Sequence, residues 1–154
     1  MKQVTEQEIP SWDRCLPHVL VVEQDSDYGH MLVAELQDRS IRAKHIQTVD
    51  AFLDLNCRER VDLVSLEIDA MDPNTLDNIK LLRTHFGEGP GTRIVATSSF
   101  LPGAFPFLVE QRGADRCMAK PREPEVMAAA LETELRKQMK SKEKGWANKL
   151  GSRE

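Results

Sequence analysis

"VDLVSLEI", residues 61–68, is the segment on which the reading of the fold turns. Valine, leucine and isoleucine fall on both odd and even positions, so neither side of the run is polar. A strand of this composition is covered on both faces, as in a parallel sheet packed between helices. The following residues stop it. Asp72-Pro73 predicts a helix start, a capping side chain followed by proline at the first helical position. Leu76, Ile79, Leu82 and Phe86 then recur at helical spacing.

The same alternation extends in both directions. "HVLVVE" (18–23) is a second doubly covered strand, and Asp25 or Ser26 caps a helix with Tyr28, Met31, Leu32 and Leu36 on one face. "IRAKHIQT" (41–48) is a weaker strand placed nearer an edge, and Thr48 caps a helix that turns Phe52 and Leu53 inward. "RIVATSS" (93–99) is the third strong strand. In "FLPGAFPFLVEQRG" (100–113), Pro102, Gly103 and Pro106 leave room only for a short helix, from about Phe105 to Arg112. "ADRCMA" (114–119) is a last short strand. The long helix after Lys120 has Pro124 near its start and Met127, Ala130, Leu131 and Leu135 facing in. Five strand–helix alternations predict an α/β fold, a five-stranded parallel sheet flanked by helices on both faces. The common strand order 2-1-3-4-5 binds ligands where strands 1 and 3 part. Those strands end at Glu23-Gln24 and at Glu67.

Composition bounds the function. At 154 residues the chain suits one domain, able to bury roughly two-thirds of its unfolded surface. A net charge of −4 gives no pull toward nucleic acid or an anionic membrane. Three cysteines without paired spacing argue against a disulfide framework or a zinc site and for a reducing cytoplasm. The first residues are too polar for a signal peptide, and no apolar run approaches the ~18 residues of a membrane span. The expected division is an N-terminal extension (1–16), one domain (17–139) and a basic polar tail (140–154). The tail, without a recognition helix, does not make a DNA-binding domain.

Carboxylates at the ends of strands 1 and 3 (Glu23, Asp25, Glu67, with Asp69 beyond), hydroxyls after strand 4 (Thr97, Ser98, Ser99) and Lys120 before Pro121 converge on one edge. Carboxylates suit a hard cation such as Mg²⁺, and a lysine and a hydroxyl suit a phosphoryl group. These residues resemble a known family. "HVLVVEQD", "VDLVSLE", "IVATSS" and "GADRCMAKPREP" are similar to the receiver domain of bacterial two-component response regulators, a flavodoxin-like fold, over about residues 17–139.

In that family a histidine kinase passes a phosphoryl group to an aspartate ending strand 3, and Mg²⁺ lies between it and an acidic pair after strand 1. A hydroxyl ending strand 4 and an aromatic residue in strand 5 rearrange on phosphorylation, and a lysine before proline contacts the phosphoryl group. Mapped onto this sequence, the acceptor position is Glu67, with Asp69 as the alternative. The metal-side pair is Glu23-Gln24, followed by Asp25. The hydroxyl is Ser98, the switch position Cys117 and the lysine Lys120. Glutamate is one methylene longer than aspartate, and a misplacement of about 1 Å can cost ~10²-fold in transfer. Gln24 is a weaker ligand than a carboxylate for a hard cation.

The resemblance therefore implies a pseudo-receiver, a cytoplasmic signalling module rather than an enzyme, with no cofactor required. Its partner is a histidine kinase or a downstream effector, and a homodimer is left open. Glu67 pairing directly with Lys120 is the expected substitute for the chemistry. Phe100, Leu101, Phe105 and Phe107 form the expected partner surface, with two of the four turned inward. The alternative is an active receiver that uses Mg²⁺ and takes a phosphoryl group on Asp69. A flavodoxin-like small-molecule binder is the third reading, disfavoured by the acidic loop after strand 1, which repels an anionic cofactor.

Overall fold

The computed structural model describes residues 17–55, 60–87 and 91–151, with residues 141–151 as backbone only. The expected N-terminal extension, 1–16, lies outside them. Five strands alternate with five helices: β1 (His18–Val22), α1 (Ser26–Asp38), β2 (Arg42–Ile46), α2 (Val49–Asp54), β3 (Leu63–Glu67), α3 (Thr75–Phe86), β4 (Arg93–Ser98), α4 (Phe105–Gln111), β5 (Arg116–Ala119) and α5 (Pro124–Gly151). The sheet is parallel throughout, in the order β2-β1-β3-β4-β5. The weaker strand β2 is indeed at an edge. Among the described residues no helix is long and apolar enough to cross a membrane.

Alternation along each strand builds two separate cores. Leu20, Val22, Val64, Leu66, Ile94 and Ala96 face α2, α3 and α4, where they meet Phe52, Ile79, Leu82 and Val109. Val19, Val21, Leu63 and Val95 face α1 and α5, against Leu32, Leu36, Met127 and Leu131. Each buried aliphatic side chain contributes about 1.5–3 kcal/mol relative to exposure. Register aligns the strand ends: Val22 lies opposite Leu66, and Glu67 opposite Thr97.

Three local expectations give way. Asp72 spends its carboxylate on the Asn74 N–H at 2.9 Å, so a turn precedes α3, and the helix starts at Thr75. Met31 is 52% exposed, because Tyr28, Leu32 and Leu36 already fill the inner stripe of α1. In α5, Ala130 is only half-buried, while Ala128 is enclosed completely. The expected tail boundary near residue 140 falls inside α5, which continues to Gly151.

The "GAD" motif (113–115) has a structural cause. Arg83 on α3 donates to the Gly113 carbonyl at 2.8 Å and to Asp115 Oδ2 at 2.7 Å. Asp115 Oδ2 also accepts from the Ile94 N–H at 2.7 Å, tying the β5 entry to β4. Gly113 has φ +127°, and a Cβ there would lie 2.8 Å from Arg83 Cβ. Glycine is thus required both by backbone conformation and by the close arginine stem.

Candidate functional site

The carboxyl ends of β1, β3 and β5 converge on one ammonium. Lys120 follows β5 directly, its backbone N–H held by the Ser98 carbonyl at 2.9 Å. Its Nζ donates to Glu23 Oε1 at 2.6 Å and to Glu67 Oε2 at 2.9 Å. Glu23 is buried, while Glu67 and Lys120 keep limited solvent access. The Lys120 ammonium also lies 4.2 Å from the centre of the Tyr28 ring, a cation–π contact. The Tyr28 hydroxyl donates to the Pro121 carbonyl at 2.7 Å, which anchors the β5–α5 loop over α1. From the edge strand, His45 Nε2 donates to the Glu23 carbonyl at 2.7 Å. The absence of a side chain at Gly29 admits the His45 ring, which a Cβ would approach to 2.5 Å.

Charge is unequal here: two acids face one cation. Burial, and then the hydrogen bond it shares with Glu67, push the Glu23 carboxyl up to about 7, against the pull of Lys120. Burial also acts to raise Glu67, but its hydrogen bonds to Glu23 and Lys120 outweigh that and hold it below the usual carboxylate range. For Lys120, burial acts downward, and the two glutamates reverse it to a net upward shift. Within the pair Glu67 is therefore the stronger acid and Glu23 the weaker, and Lys120 balances Glu67.

No family model matches the sequence, and no curated protein matches it as a relative. Solved structures do match. A response regulator receiver domain protein (CheY-like) from Methanospirillum hungatei superposes with a TM-score of 0.68 at 18% identity, covering 81% of this chain and 98% of that one. A response regulator from Thermotoga maritima gives 0.64 at 20% identity, covering 78% and 98%. A Burkholderia pseudomallei response regulator, solved with a phosphorylated aspartic acid, calcium ion and citrate, gives 0.63 at 21%, covering 82% and 72%.

The chain has the receiver fold. At these identities the likeness establishes architecture, and chemistry must be read from the side chains.

Within the receiver fold, Glu67 is the last residue of β3, and Asp69 sits two residues on, exposed, its Oδ1 accepting from the Met71 N–H at 2.8 Å. The residues that the resemblance assigns to Mg²⁺ do not fit the ion. Glu23 is engaged by Lys120 and Glu67, and Gln24 is exposed and neutral. Asp25 Oδ1 caps α1, accepting from the Asp27 and Tyr28 N–H groups at 3.0 and 3.2 Å. Among the described residues no three His, Cys, Asp or Glu side chains are grouped to hold a metal.

The Ser98 hydroxyl closes its own turn, donating to the Phe100 carbonyl at 2.9 Å and accepting from its N–H at 3.2 Å. It bonds neither Glu67 nor Lys120. Cys117 packs against the α4-side core, and burial, reinforced by Glu110, pushes its thiol up to about 11. It supplies neither a ring nor a reactive thiolate.

A cleft of about 470 Å³ opens beside Glu67, between α2 and α3, its rim including Gln24, Asp50, Asp69 and Asp72. Of the four expected partner-surface residues, Phe100 is 61% and Phe107 59% exposed. Leu101 is half-buried, and Phe105 packs against the core.

Two features escape a reading of the sequence. Glu23 is the nearer partner of Lys120, closer than Glu67. Glu134, fully buried in α5, binds Arg93 at 2.7 Å, Arg116, and Lys137 at 3.2 Å. Its signal is there, since it falls between Leu131 and Leu135 on the inward stripe of the helix.

Proposed function

We propose that the chain is a pseudo-receiver: a non-enzymatic module of two-component signalling that acts in the cytoplasm by binding another signalling protein. One observation carries this reading. The ammonium that would meet an incoming phosphoryl group is already bound by both Glu23 and Glu67. An acceptor-position glutamate, displaced by a methylene and held by that lysine, is not presented for in-line attack. The neutral Gln24 and the α1-capping role of Asp25 support the same reading, as does the Ser98 hydroxyl turned into its own loop.

The partner, a histidine kinase or an effector, is proposed to dock on the α4 side, where Phe100 and Phe107 expose aromatic rings. Phe105 belongs to the support beneath that surface. Incubation with acetyl phosphate and Mg²⁺, followed by intact mass, tests the reading. The expected result is an unmodified chain. A phosphoryl adduct on Asp69 would instead establish the active-receiver alternative.

A further inference from the structure

The cleft between α2 and α3 and the far end of α5 carry opposite charge. Among the described residues that line the cleft, Asp50, Glu67, Asp69, Asp72 and Asp77 are acidic, and none is lysine, arginine or histidine. Lys120 balances Glu67, but no cation lining the cleft balances the four aspartates. Asp69 and Asp72 each spend one oxygen on a backbone N–H, at 2.8 and 2.9 Å. Asp50 and Asp77 stand in the first turns of α2 and α3, where the helix dipole favours an acid. Local structure thus explains each position and leaves their summed charge uncompensated. Buried Val49, Leu66 and Ile68 add an apolar lining. The volume of about 470 Å³ is ample for a large side chain.

The complementary charge lies in α5. From residue 140 to 151 this helix has four lysines and one glutamate, in a chain whose net charge is −4. Lys142, Trp146, Lys149 and Leu150 recur there at helical spacing, a pattern that combines cationic and apolar positions. The helix passes the amino ends of the sheet at Glu134, which holds the first residues of β4 and β5. From there to Gly151 it runs roughly 25 Å further, at 1.5 Å per residue. The cleft lies at the carboxyl ends of the strands, on the face of the sheet opposite α5. The extension therefore leads away from its own cleft.

We propose that the cleft receives the basic α5 extension of a second copy of this chain. Each copy then offers a cleft at one end of the sheet and an extension at the other. Such a head-to-tail contact propagates into an open chain or closes into a ring. This inference goes beyond the pseudo-receiver reading and stands independently of it.

The test is analytical ultracentrifugation of the full chain from roughly 1 μM to 1 mM, the range of weak contacts, at low and high salt. Wild type is expected to self-associate at low salt and to dissociate as salt screens the charges. Asp50→Asn/Asp77→Asn neutralises the cleft, and Lys142→Gln/Lys149→Gln neutralises the extension. Each pair should weaken association about tenfold or more. Asp50 and Asp77 are exposed, so the cleft variant keeps its fold, which far-UV circular dichroism checks. An equimolar mixture of the two variants is the decisive arm. It contains one intact extension and one intact cleft on different chains, so it should regain the wild-type affinity and stop at a dimer. A wild type that stays monomeric throughout overturns the inference. So does association that neither neutralisation weakens, or a mixture no more associated than its components. Association lost in Phe100→Ala/Phe107→Ala but kept in both neutralised variants would place the contact on the α4 face and overturn it equally.

Discussion

Two charged clusters sit at opposite ends of the sheet, and they are built in opposite proportions. At the carboxyl ends of the strands, two glutamates share Lys120. At the amino ends, the single carboxylate of Glu134 is held by Arg93 and Arg116, from the first residues of β4 and β5, and by Lys137. Burial disfavours the charged form of Glu23 and of Glu134 alike. With cations scarce, Glu23 is pushed up to about 7. With cations in excess, burial still acts to raise Glu134, but bonds to Arg116, Arg93 and Lys137 prevail and hold it below its ordinary value. Burial is the largest single influence at both glutamates; the bonds to cations reverse it at Glu134 and do not at Glu23. One end of the sheet is tied permanently, and the other is tied in a way that responds to protons.

The comparison breaks most visibly at Glu134. Glu134→Ala leaves three cations facing an empty buried position, and urea denaturation should register a loss of ~3 kcal/mol or more. Lys120→Met is next, at about 2–3 kcal/mol, because Glu23 can relieve the imbalance by holding a proton. That relief makes the loss larger near pH 8 than near pH 6, where urea midpoints at the two values check it.

Wild-type stability carries a pH dependence of its own. Glu23 titrates near 7 when folded and near 4.5 when unfolded, so between these values the folded state binds the extra proton. Its contribution to stability is therefore full below about pH 4.5 and declines as pH rises to 7. Glu67, shifted the other way, contributes stability above about 4.5 that is lost as pH falls through its lowered folded value. Glu23→Gln should flatten the 4.5–7 decline, and a slope unchanged by that substitution would remove Glu23 as its source. The smallest effect on folding is expected at the α4 surface. Phe100→Ala and Phe107→Ala should stay within ~0.5 kcal/mol of wild type while weakening partner capture. Phe105→Ala should cost more, since its ring packs into the core.

Much of the architecture could be read from local composition, because doubly covered strands leave β-branched runs that no other element explains. Thr48 was legible as a cap and serves as one, and of the alternatives Asp25 and Ser26 the cap is Asp25, which the sequence also placed in the acidic pocket. Asp72 had two competing uses, and the nearer backbone N–H prevailed over the helix start. The acid–lysine pairing was half legible. Glu67 facing Lys120 follows from topology, but Glu23 joining them depends on side-chain paths that sequence does not encode. Glu134 was obscured by its chemistry: a glutamate on a helix reads as solvated, and only its place on the apolar stripe indicates otherwise. Ser98 shows the converse, a hydroxyl whose expected outward task yields to the adjacent backbone.

Tyr28 has two duties: its ring covers the Lys120 ammonium, and its hydroxyl holds the Pro121 carbonyl. Burial pushes its phenol up to about 12, so the hydroxyl remains a donor to Pro121 at every pH a cell reaches. Beneath it, Glu23, pushed up to about 7 by burial, exchanges a proton near neutrality. The clasp that secures the loop is therefore blind to acidity, while the charges it covers register it, and a shift in proton concentration can alter the field at this surface without releasing the backbone around it.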